Sequence, residues 1–554
     1  MIWYYPELLQ RVQAVLPPGL SVQTNMPADQ TAWLSVPVFA LAKQTSQPLP
    51  TVAREVAKKI EALGDVTVEV VGGFVNVTPG SSAMALTQTS DASFGQLAVG
   101  NGQPVVVEFS APNIAKPMGI GHLRSTIIGD ALQRVYRALG YEVTSVNHLG
   151  DWGTQFGKLM VAYQTKFGDL APRSLTVDEL FHLYVGFHTA AEADATLNDA
   201  ARAMFKRLEE GDPVVRTLWQ TLVDQSLGEF QTMYDRLGIV IDEPTIGESF
   251  YEPLMGAIID RAREQGLAKE SAGALVVEVP GETVPLMLKK ADGSTIYATR
   301  DLAALKYRID TYQPMRLLYV VANEQSLHFR QVFAVAGLLG LIPDGVSVDH
   351  IKFGLVRTAE GKLSTRAGRV VFLNDVLNEA VERARVVVEE KNPDLDDAAK
   401  SAVAEAVGIA SVKFFDLFHD RNHDIVFDWD RMLSLKGDSA PYLLYSYTRA
   451  AGILRKNSEA LADLTNVSPQ LMPYVRTLAR FPLVLEAVVA DNAPHHLAQY
   501  LNQVATEFHR FYEEFPVLSS KGADRAARLA VAAGTANVLK RGLDLLGISV
   551  LETM

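Results

Sequence analysis

A short glycine-rich segment, GIGH at residues 119–122, has the composition of a phosphate-binding turn. It lies where a strand pattern gives way to a helix pattern. Gly119 and Gly121 would let the backbone approach a ligand closely, and the N–H groups at the helix start would attract an anion. His122 adds a titratable side chain beside them. The segment alone is equally well read as a tight strand-to-helix turn with one surface histidine.

A second segment, KLSTR at residues 362–366, brings cations and hydroxyl groups together. Lys362 and Arg366 are positively charged, and Ser364 and Thr365 supply hydroxyl donors. Such groups suit the oxygens of a phosphate. A solvated basic turn would have the same composition, so this segment by itself also leaves both readings open.

The elements that must position these segments follow a strand–helix alternation. Strands are predicted at residues 105–110, 142–147, 317–322 and 351–356, with a helix at 122–139. Alternation of this kind predicts a parallel, doubly wound sheet of Rossmann-like form. Ligands of such sheets bind beyond the carboxyl ends of the strands. Because both polar segments follow strands, we expect them to contribute to one site.

The remaining sequence predicts a multidomain α/β protein. Residues 1–100 have a helical pattern at 52–63 and a strand–turn–strand pattern at 66–77, which predicts a small α+β amino-terminal domain. We place the catalytic domain at 101–375, with a large insertion between the two halves of its sheet. Helical periodicity then predicts a connective region at 376–434 and an all-α carboxy-terminal domain at 435–554.

Composition limits the class of protein. The chain has 554 residues, 48% of them hydrophobic, no cysteine and a formal net charge of −13. These values favour a folded protein of several domains and exclude disulfides, thiol nucleophiles and cysteine-bound zinc. The amino terminus has no basic leader, and no apolar run is long enough to span a bilayer. We therefore expect a cytoplasmic protein with no membrane partner.

Together, the two polar segments carry a family signature. The sequence EFSAPNIAKPMGIGHLRST at residues 108–126 resembles the His-x-Gly-His region of class I aminoacyl-tRNA synthetases, in the form found in arginyl-tRNA synthetases. The KLSTR segment resembles their Lys-Met-Ser-Lys-Ser loop, and YATRD at 297–301 fits their amino acid site. The resemblance extends to the closing GLDLLGISVLETM, so it covers nearly the whole chain.

The resemblance implies an activity, partners and cofactors. The family activates L-arginine with ATP to arginyl-adenylate and transfers it to the 3'-terminal adenosine of tRNA(Arg), releasing AMP and diphosphate. The amino-terminal domain would contact the outer corner of the tRNA, and the helical domain would bind the anticodon. Mg²⁺ would be held mainly by the ATP phosphates, because this ion seldom has an all-protein site. We expect a monomer without a protein metal site.

The resemblance also implies site residues. Catalysis would fall to His122, Lys116, Lys362 and Ser364. ATP would contact Gly119, Gly121, His122, Lys362, Leu363, Ser364, Thr365 and Arg366. Arginine would contact Glu108, Asn113, Tyr297, Asp301 and Gln325. Tyr445 and Arg449 would contact tRNA bases by stacking and charge. A carboxylate such as Asp301 suits a guanidinium because the two groups pair in bidentate geometry.

Two positions depart from the general class I pattern. Thr365 replaces the second lysine of the Lys-Met-Ser-Lys-Ser loop, and Lys116 just before the histidine motif supplies the lysine that arginyl enzymes carry instead. Gly119 replaces the first histidine of the motif. Either a phosphate donor has been lost there, or a neighbouring group or backbone N–H replaces it; we favour the second.

Three alternatives follow from the residues. The chain could be another class I synthetase or a free-standing nucleotidyltransferase, which activation of each amino acid in turn would decide. It could be a non-catalytic tRNA-binding relative, which Gly119 alone supports. Asp301 could be a surface ion-pair partner of Arg300 or Lys306 instead of an arginine ligand.

Overall fold

The computed structural model describes residues 4–24, 32–80, 87–291, 295–358, 361–362, 372–457 and 467–552, with the backbone alone at 4, 358, 361 and 362. The chain divides into two units. One contains residues 1–99, 384–418 and 430–554, and the other contains residues 100–383 and 419–429. No helix within the described ranges combines the length and apolarity needed to cross a membrane.

The amino-terminal part of the first unit is a small α+β arrangement. Its elements are α1 (Tyr4–Val15), β1 (Leu34–Pro37), α2 (Phe39–Thr45), α3 (Leu49–Glu61), β2 (Val66–Val71) and β3 (Phe74–Pro79). The strands form an antiparallel sheet in the order β1-β3-β2. Helix α3 buries Val52, Val56 and Ile60, the spacing of one helix face. The predicted helix and hairpin are therefore confirmed.

The second unit begins with the strand and helix that flank the first polar segment. They are β4 (Pro104–Glu108), α4 (Ile120–Ala138) and the next strand, β5 (Glu142–Val146). Strands β4 and β5 pair in parallel. Residues 105–108 of β4 are all buried, as expected for a central strand with both faces covered.

The insertion follows β5. Its helices are α5 (Thr154–Phe167), α6 (Val177–Ala193), α7 (Thr196–Glu209), α8 (Pro213–Leu237), α9 (Glu248–Tyr251) and α10 (Met255–Glu264). An antiparallel sheet of β6 (Ala268–Ser271), β7 (Ala274–Val277) and β8 (Leu286–Lys289) follows them. The long helix α8 has clear local signals: the Asp212 side chain accepts from the N–H groups of Val214 and Val215, and Gly238 ends the helix in the left-handed conformation.

The chain then returns to the parallel sheet through α11 (Tyr297–Tyr312), β9 (Arg316–Tyr319), α12 (Ser326–Leu338) and β10 (Ser347–His350). The strand order is β10-β9-β4-β5, with every pair parallel. The fourth strand was predicted at 351–356, which is wrong. The edge strand β10 is only half-buried and carries polar residues, so its apolar pattern is weaker than that of the loop after it.

A small sheet follows, made of β11 (Val356–Thr358), β12 (Gly361–Lys362) and β13 (Ile425–Val426). The rest of the described chain is mainly helical. It contains α13 (Leu373–Lys391), α14 (Asp397–Phe418), α15 (Trp429–Met432), α16 (Ala440–Arg455), α17 (Met472–Ala479), α18 (Phe481–Asp491), α19 (His495–Glu514) and α20 (Gly522–Leu545). The predicted fold class, a parallel-sheet domain with an insertion and a helical carboxy-terminal region, is confirmed.

Candidate active site

The loops after β4 and β5 are joined at the carboxyl edge of the sheet. Asn113 and Gly150 form a parallel bridge, and the Gly150 N–H donates to the Pro112 carbonyl at 3.0 Å. A β-carbon at position 150 would lie 2.4 Å from the Asn113 side-chain oxygen, so a larger residue there would displace the Asn113 side chain. The predicted arginine ligand Asn113 is therefore held by the HLGDWGT segment at residues 148–154.

The loop after β4 has an unusual backbone. Ser110, Ala111 and Ala115 have positive φ angles of 76°, 47° and 60°, a conformation that non-glycine residues adopt only where their surroundings enforce it. The Ser110 N–H donates to the Ser125 hydroxyl at 2.9 Å, and the Ala111 N–H donates to Asn147 Oδ1 at 3.0 Å. Ser125 of the HLRST segment therefore holds this loop in place. The amino-acid pattern did not predict that role.

His122 lies in the first turn of α4 and is held by the backbone. The Gly119 N–H donates to His122 Nδ1 at 3.0 Å, so the proton of the neutral ring is on Nε2. Burial lowers the pKa of His122, and nearby Lys116 lowers it further. The ring is therefore neutral near pH 7, with Nε2–H as a donor. The Gly119 N–H is used in this bond. It is therefore not available to donate to phosphate in place of the histidine that the class I pattern has at position 119.

Lys116 lies in the same loop and contacts an aromatic ring of the insertion. Its Nζ is 4.6 Å from the centroid of the Tyr184 ring on α6, a cation–π distance. Burial lowers the pKa of Lys116, and the positive charge of Lys158 lowers it further. Among the described residues, no carboxylate acts on the pKa of Lys116 or forms an ion pair with it. A lysine in this state is suited to an external anion.

The second polar segment is only partly described. The backbone of Lys362 lies in β12, opposite Arg357 of β11. Leu363, Ser364, Thr365 and Arg366 lie outside the described residues. Beyond them, Phe372 pairs with Gly119, and the Leu373 N–H donates to the Met118 carbonyl at 2.8 Å. The chain on the far side of KLSTR therefore returns to the GIGH segment.

Arg124 of α4 links the helix that follows GIGH to the backbone beside the small sheet that leads into KLSTR. Its guanidinium is buried and donates to the carbonyl oxygens of Gly354 at 2.6 Å and His423 at 3.1 Å. Gly354 directly precedes the turn into β11, and residues 425–426 pair with β11. A buried arginine with several hydrogen bonds holds this backbone firmly.

Asp301 lies on α11 between two histidines. His328 Nε2 is 2.6 Å from Asp301 Oδ2, and His148 Nε2 is 3.7 Å from Oδ1. The surface ion-pair reading of Asp301 is wrong. Arg300 pairs with Glu248 at 2.8 Å and Glu252 at 2.7 Å, and Lys306 pairs with Asp310. Adjacent helix residues point about 100° apart, which explains why Arg300 does not reach Asp301.

Glu108, at the end of β4, is buried and pairs with Arg308 of α11. The Arg308 guanidinium also contacts His148, with Nη2 3.2 Å from Nδ1. Opposite charge holds the pKa of Arg308 above its usual value despite burial. The Glu108 carboxylate is therefore already neutralised by a residue of the chain, and its predicted contact with arginine stays a prediction.

The other two predicted arginine ligands are exposed. Tyr297, at the start of α11, is 63% exposed, and the Arg300 guanidinium lies 5.6 Å from its ring centroid. Gln325 is the residue before α12, three positions ahead of His328. A cavity of about 150 Å³ lies beside Tyr297 and is lined also by Trp152, Glu209 and Glu252. Tyr297 therefore borders a cavity of the second unit.

Tyr445 and Arg449 lie on α16, in the other unit. The Arg449 guanidinium lies between two rings, 4.8 Å from the centroid of Tyr445 and 4.5 Å from that of Tyr512. The Tyr445 ring is stacked on His509 at 5.9 Å. Tyr445, Arg449 and Tyr512 line a cavity of about 710 Å³ together with Arg455 and Lys456. Aromatic faces and cations in an open cavity suit unstacked nucleobases.

The structure adds several residues that the sequence analysis does not assign to the site. His148, Arg308, His328 and Tyr184 each contact a predicted residue. His148 closely follows the end of β5, a position where ligand-binding residues of parallel sheets are found, but no local pattern marks the other three. Among the described residues, no cluster of His, Asp or Glu could hold a metal ion.

Comparison with known proteins places this site in a family. The family described as tRNA synthetases class I (R), catalytic domain, matches residues 84–429, and the DALR anticodon binding domain matches residues 443–554. The Arginine--tRNA ligase of Clostridium acetobutylicum is 40% identical over 94% of this chain and 93% of its own length. That of Chloroflexus aggregans is 41% identical over 96% and 94%.

Solved structures agree with this placement. The arginyl-tRNA synthetase of Plasmodium falciparum has a TM-score of 0.81 at 25% identity, over 99% of this chain and 98% of that chain. The fold of the Thermus thermophilus arginyl-tRNA synthetase is also alike, with a TM-score of 0.79 at 24% identity over 99% of each chain. The fold and the matched domains are those of a class I aminoacyl-tRNA synthetase with a DALR domain. Within that class, the chain belongs to the arginine–tRNA ligase family.

Proposed function

We propose that this chain ligates L-arginine to tRNA(Arg), using ATP to form arginyl-adenylate, with Asp301 as the counter-charge of the substrate guanidinium. One observation carries the assignment of the arginine site. The Asp301 carboxylate lies at the sheet edge with two histidines as its partners and, within the described chain, no lysine or arginine in an ion pair. A planar, permanently charged guanidinium is the substrate group that such a carboxylate binds best.

The nucleotide side of the site supports adenylate formation. The arginine carboxylate attacks the α-phosphorus of ATP, the bond to the β-phosphate oxygen breaks, and diphosphate leaves. This transfer needs alignment and donors where negative charge develops. His122 supplies a neutral Nε2–H donor, and Lys116 supplies a cation without a carboxylate partner. We assign Lys362 and Ser364 to the same phosphates, with Gly119, Gly121, Leu363, Thr365 and Arg366 around ATP.

The arginine pocket and the tRNA contacts complete the proposal. Asn113, Tyr297 and Gln325 would surround the substrate, with Glu108 at the back of the site. Tyr445 and Arg449 would stack on anticodon bases, supported by the cavity that they line with Tyr512.

The domain limits proposed for the chain are 1–100, 101–375, 376–434 and 435–554. Mg²⁺ bound through ATP phosphates, a monomeric state and a cytoplasmic location belong to the same proposal.

Aminoacylation with each amino acid in turn tests the proposal directly. We expect charging of tRNA(Arg) with arginine alone, and negligible arginine-dependent ATP–diphosphate exchange until tRNA is added, because tRNA orders the site. The measurement is exchange by RNA-free enzyme with and without tRNA(Arg). Charging of another amino acid would overturn the substrate assignment. Strong exchange without tRNA would overturn only the predicted requirement for tRNA and not the substrate assignment.

Replacement of Lys116 tests its phosphate role. Lys116→Ala should lower kcat about a hundredfold and leave the arginine KM nearly unchanged, because removal of one charge-stabilising donor typically costs about 3 kcal/mol in the transition state. Lys166→Ala is the matched control, since its Nζ also lies over an aromatic ring, Phe167 at 5.2 Å. A higher arginine KM with unchanged kcat would move Lys116 to the arginine pocket.

A further inference from the structure

The two oxygens of the Asp301 carboxylate have different surroundings. Oδ2 is 2.6 Å from His328 Nε2, a short hydrogen bond, whereas Oδ1 is 3.7 Å from His148 Nε2, which is too long for one. We infer that His328 is a positioning residue for substrate arginine: it fixes Oδ2 of Asp301 and leaves Oδ1 to accept the guanidinium. The inference rests on the proposed arginine site.

The hydrogen-bonding roles follow from the partners. An ionised carboxylate only accepts, so His328 Nε2 carries the proton that it donates to Asp301. On the other side, the Arg308 guanidinium is a donor only, so His148 Nδ1, 3.2 Å from Arg308, accepts. His148 therefore carries its proton on Nε2, the nitrogen nearer to Asp301 Oδ1. Two N–H groups flank the carboxylate, and neither is a permanent cation.

The ion pairs around Asp301 leave it without a lysine or arginine partner among the described residues. Glu108 and Arg308 neutralise each other in a buried pair. Burial lowers the pKa of His148, although the charge of Glu108 raises it, so this ring is neutral near pH 7. Arg300 next to Asp301 in sequence pairs with Glu248 and Glu252 instead. A guanidinium from the substrate would supply the ion-pair partner that Asp301 lacks within the described chain.

The position of His328 distinguishes it from a residue of the core. Its side chain is 27% exposed, whereas the next residue, Phe329, is buried. His328 lies in the first turn of α12, three positions after the exposed Gln325. Residues three apart on a helix share one face. The start of α12 therefore presents the predicted arginine ligand and the histidine that holds Asp301 to the same region.

Two substitutions separate hydrogen bonding from shape. His328→Leu removes the donor and keeps most of the volume, and His328→Gln places an amide N–H near the position of Nε2. We expect His328→Leu to raise the arginine KM tenfold or more in aminoacylation with saturating ATP and tRNA, because an unrestrained Asp301 must be ordered when arginine binds. The ATP KM should stay within twofold. His328→Gln should restore the arginine KM to within threefold of wild type.

The control is a histidine–aspartate pair outside the site. His496 of α19 pairs with Asp491 at 2.8 Å, and His496→Leu should leave the arginine KM unchanged. If His328→Leu fails to fold, His328→Asn replaces it, because its shorter amide does not reach Oδ2; the Asn and Gln variants should then differ tenfold.

Each remaining outcome is decisive. An arginine KM in His328→Leu equal to that of wild type would overturn the inference. Equal increases in the ATP and arginine KM values, or no recovery in His328→Gln, would make His328 merely structural and also overturn it. A wild-type enzyme that does not charge arginine would instead contradict the proposed function, so the two failures are distinguishable.

Discussion

Asp301→Ala should raise the arginine KM by about a hundredfold or more and leave the ATP KM nearly unchanged. The substrate guanidinium would enter a partly buried site without its counter-charge, and the truncation of such a partner costs about 2–5 kcal/mol. The Asp301 side chain is 22% exposed, so solvent screening places the effect toward the lower half of that range. Steady-state aminoacylation with varied arginine gives the value.

Helix α11 also provides the control for Asp301→Ala. Asp310 also lies on α11 and pairs with Lys306 at the surface. Asp310→Ala removes a carboxylate and an ion pair without changing the site, so its arginine KM should equal that of wild type. An Asp301→Ala enzyme with an arginine KM within threefold of wild type would show that another group binds the guanidinium.

Glu108→Ala should lower the stability of the second unit by about 3–5 kcal/mol, because it leaves the buried Arg308 guanidinium without a counter-charge. The side chains of the pair are 6% and 1% exposed, so water cannot replace the lost carboxylate. The measurement is the midpoint of chemical denaturation, followed by a probe in the second unit. Glu282→Ala, which breaks a more exposed pair with Arg330, should change stability by less than about 1 kcal/mol.

A double replacement separates structure from substrate binding. Glu108→Leu with Arg308→Met replaces both charges by apolar groups, and such exchanges of a buried pair are often neutral for stability. We therefore expect the double variant to recover most of the stability that Glu108→Ala loses. If Glu108→Ala were instead stable but raised the arginine KM, Glu108 would contact the substrate directly.

The sequence by itself determined three of the four strands of the parallel sheet and the edge of the sheet at which its polar loops lie. The buried runs of β4 and β9 have a strong apolar pattern because both faces of a central parallel strand are covered. The edge strand β10 lacks that pattern, which is why it was predicted at the wrong residues. The GIGH and KLSTR segments, with YATRD, were enough to indicate the family, because ligand-binding loops follow strands in a fixed order.

Only the tertiary structure decided how the charges of the site are paired. Glu108 and Arg308 are 200 positions apart in the chain, and Asp301 meets His328 across 27 positions. Local spacing favoured Arg300 or Lys306 as the partner of Asp301, yet both pair elsewhere. An ion pair depends on distance and burial in space, and a linear pattern records neither once the partners lie on different elements. The residue types of the site and the loops that carry them were therefore predicted from the sequence. The hydrogen bond that occupies one oxygen of Asp301, Oδ2, and not the other was not.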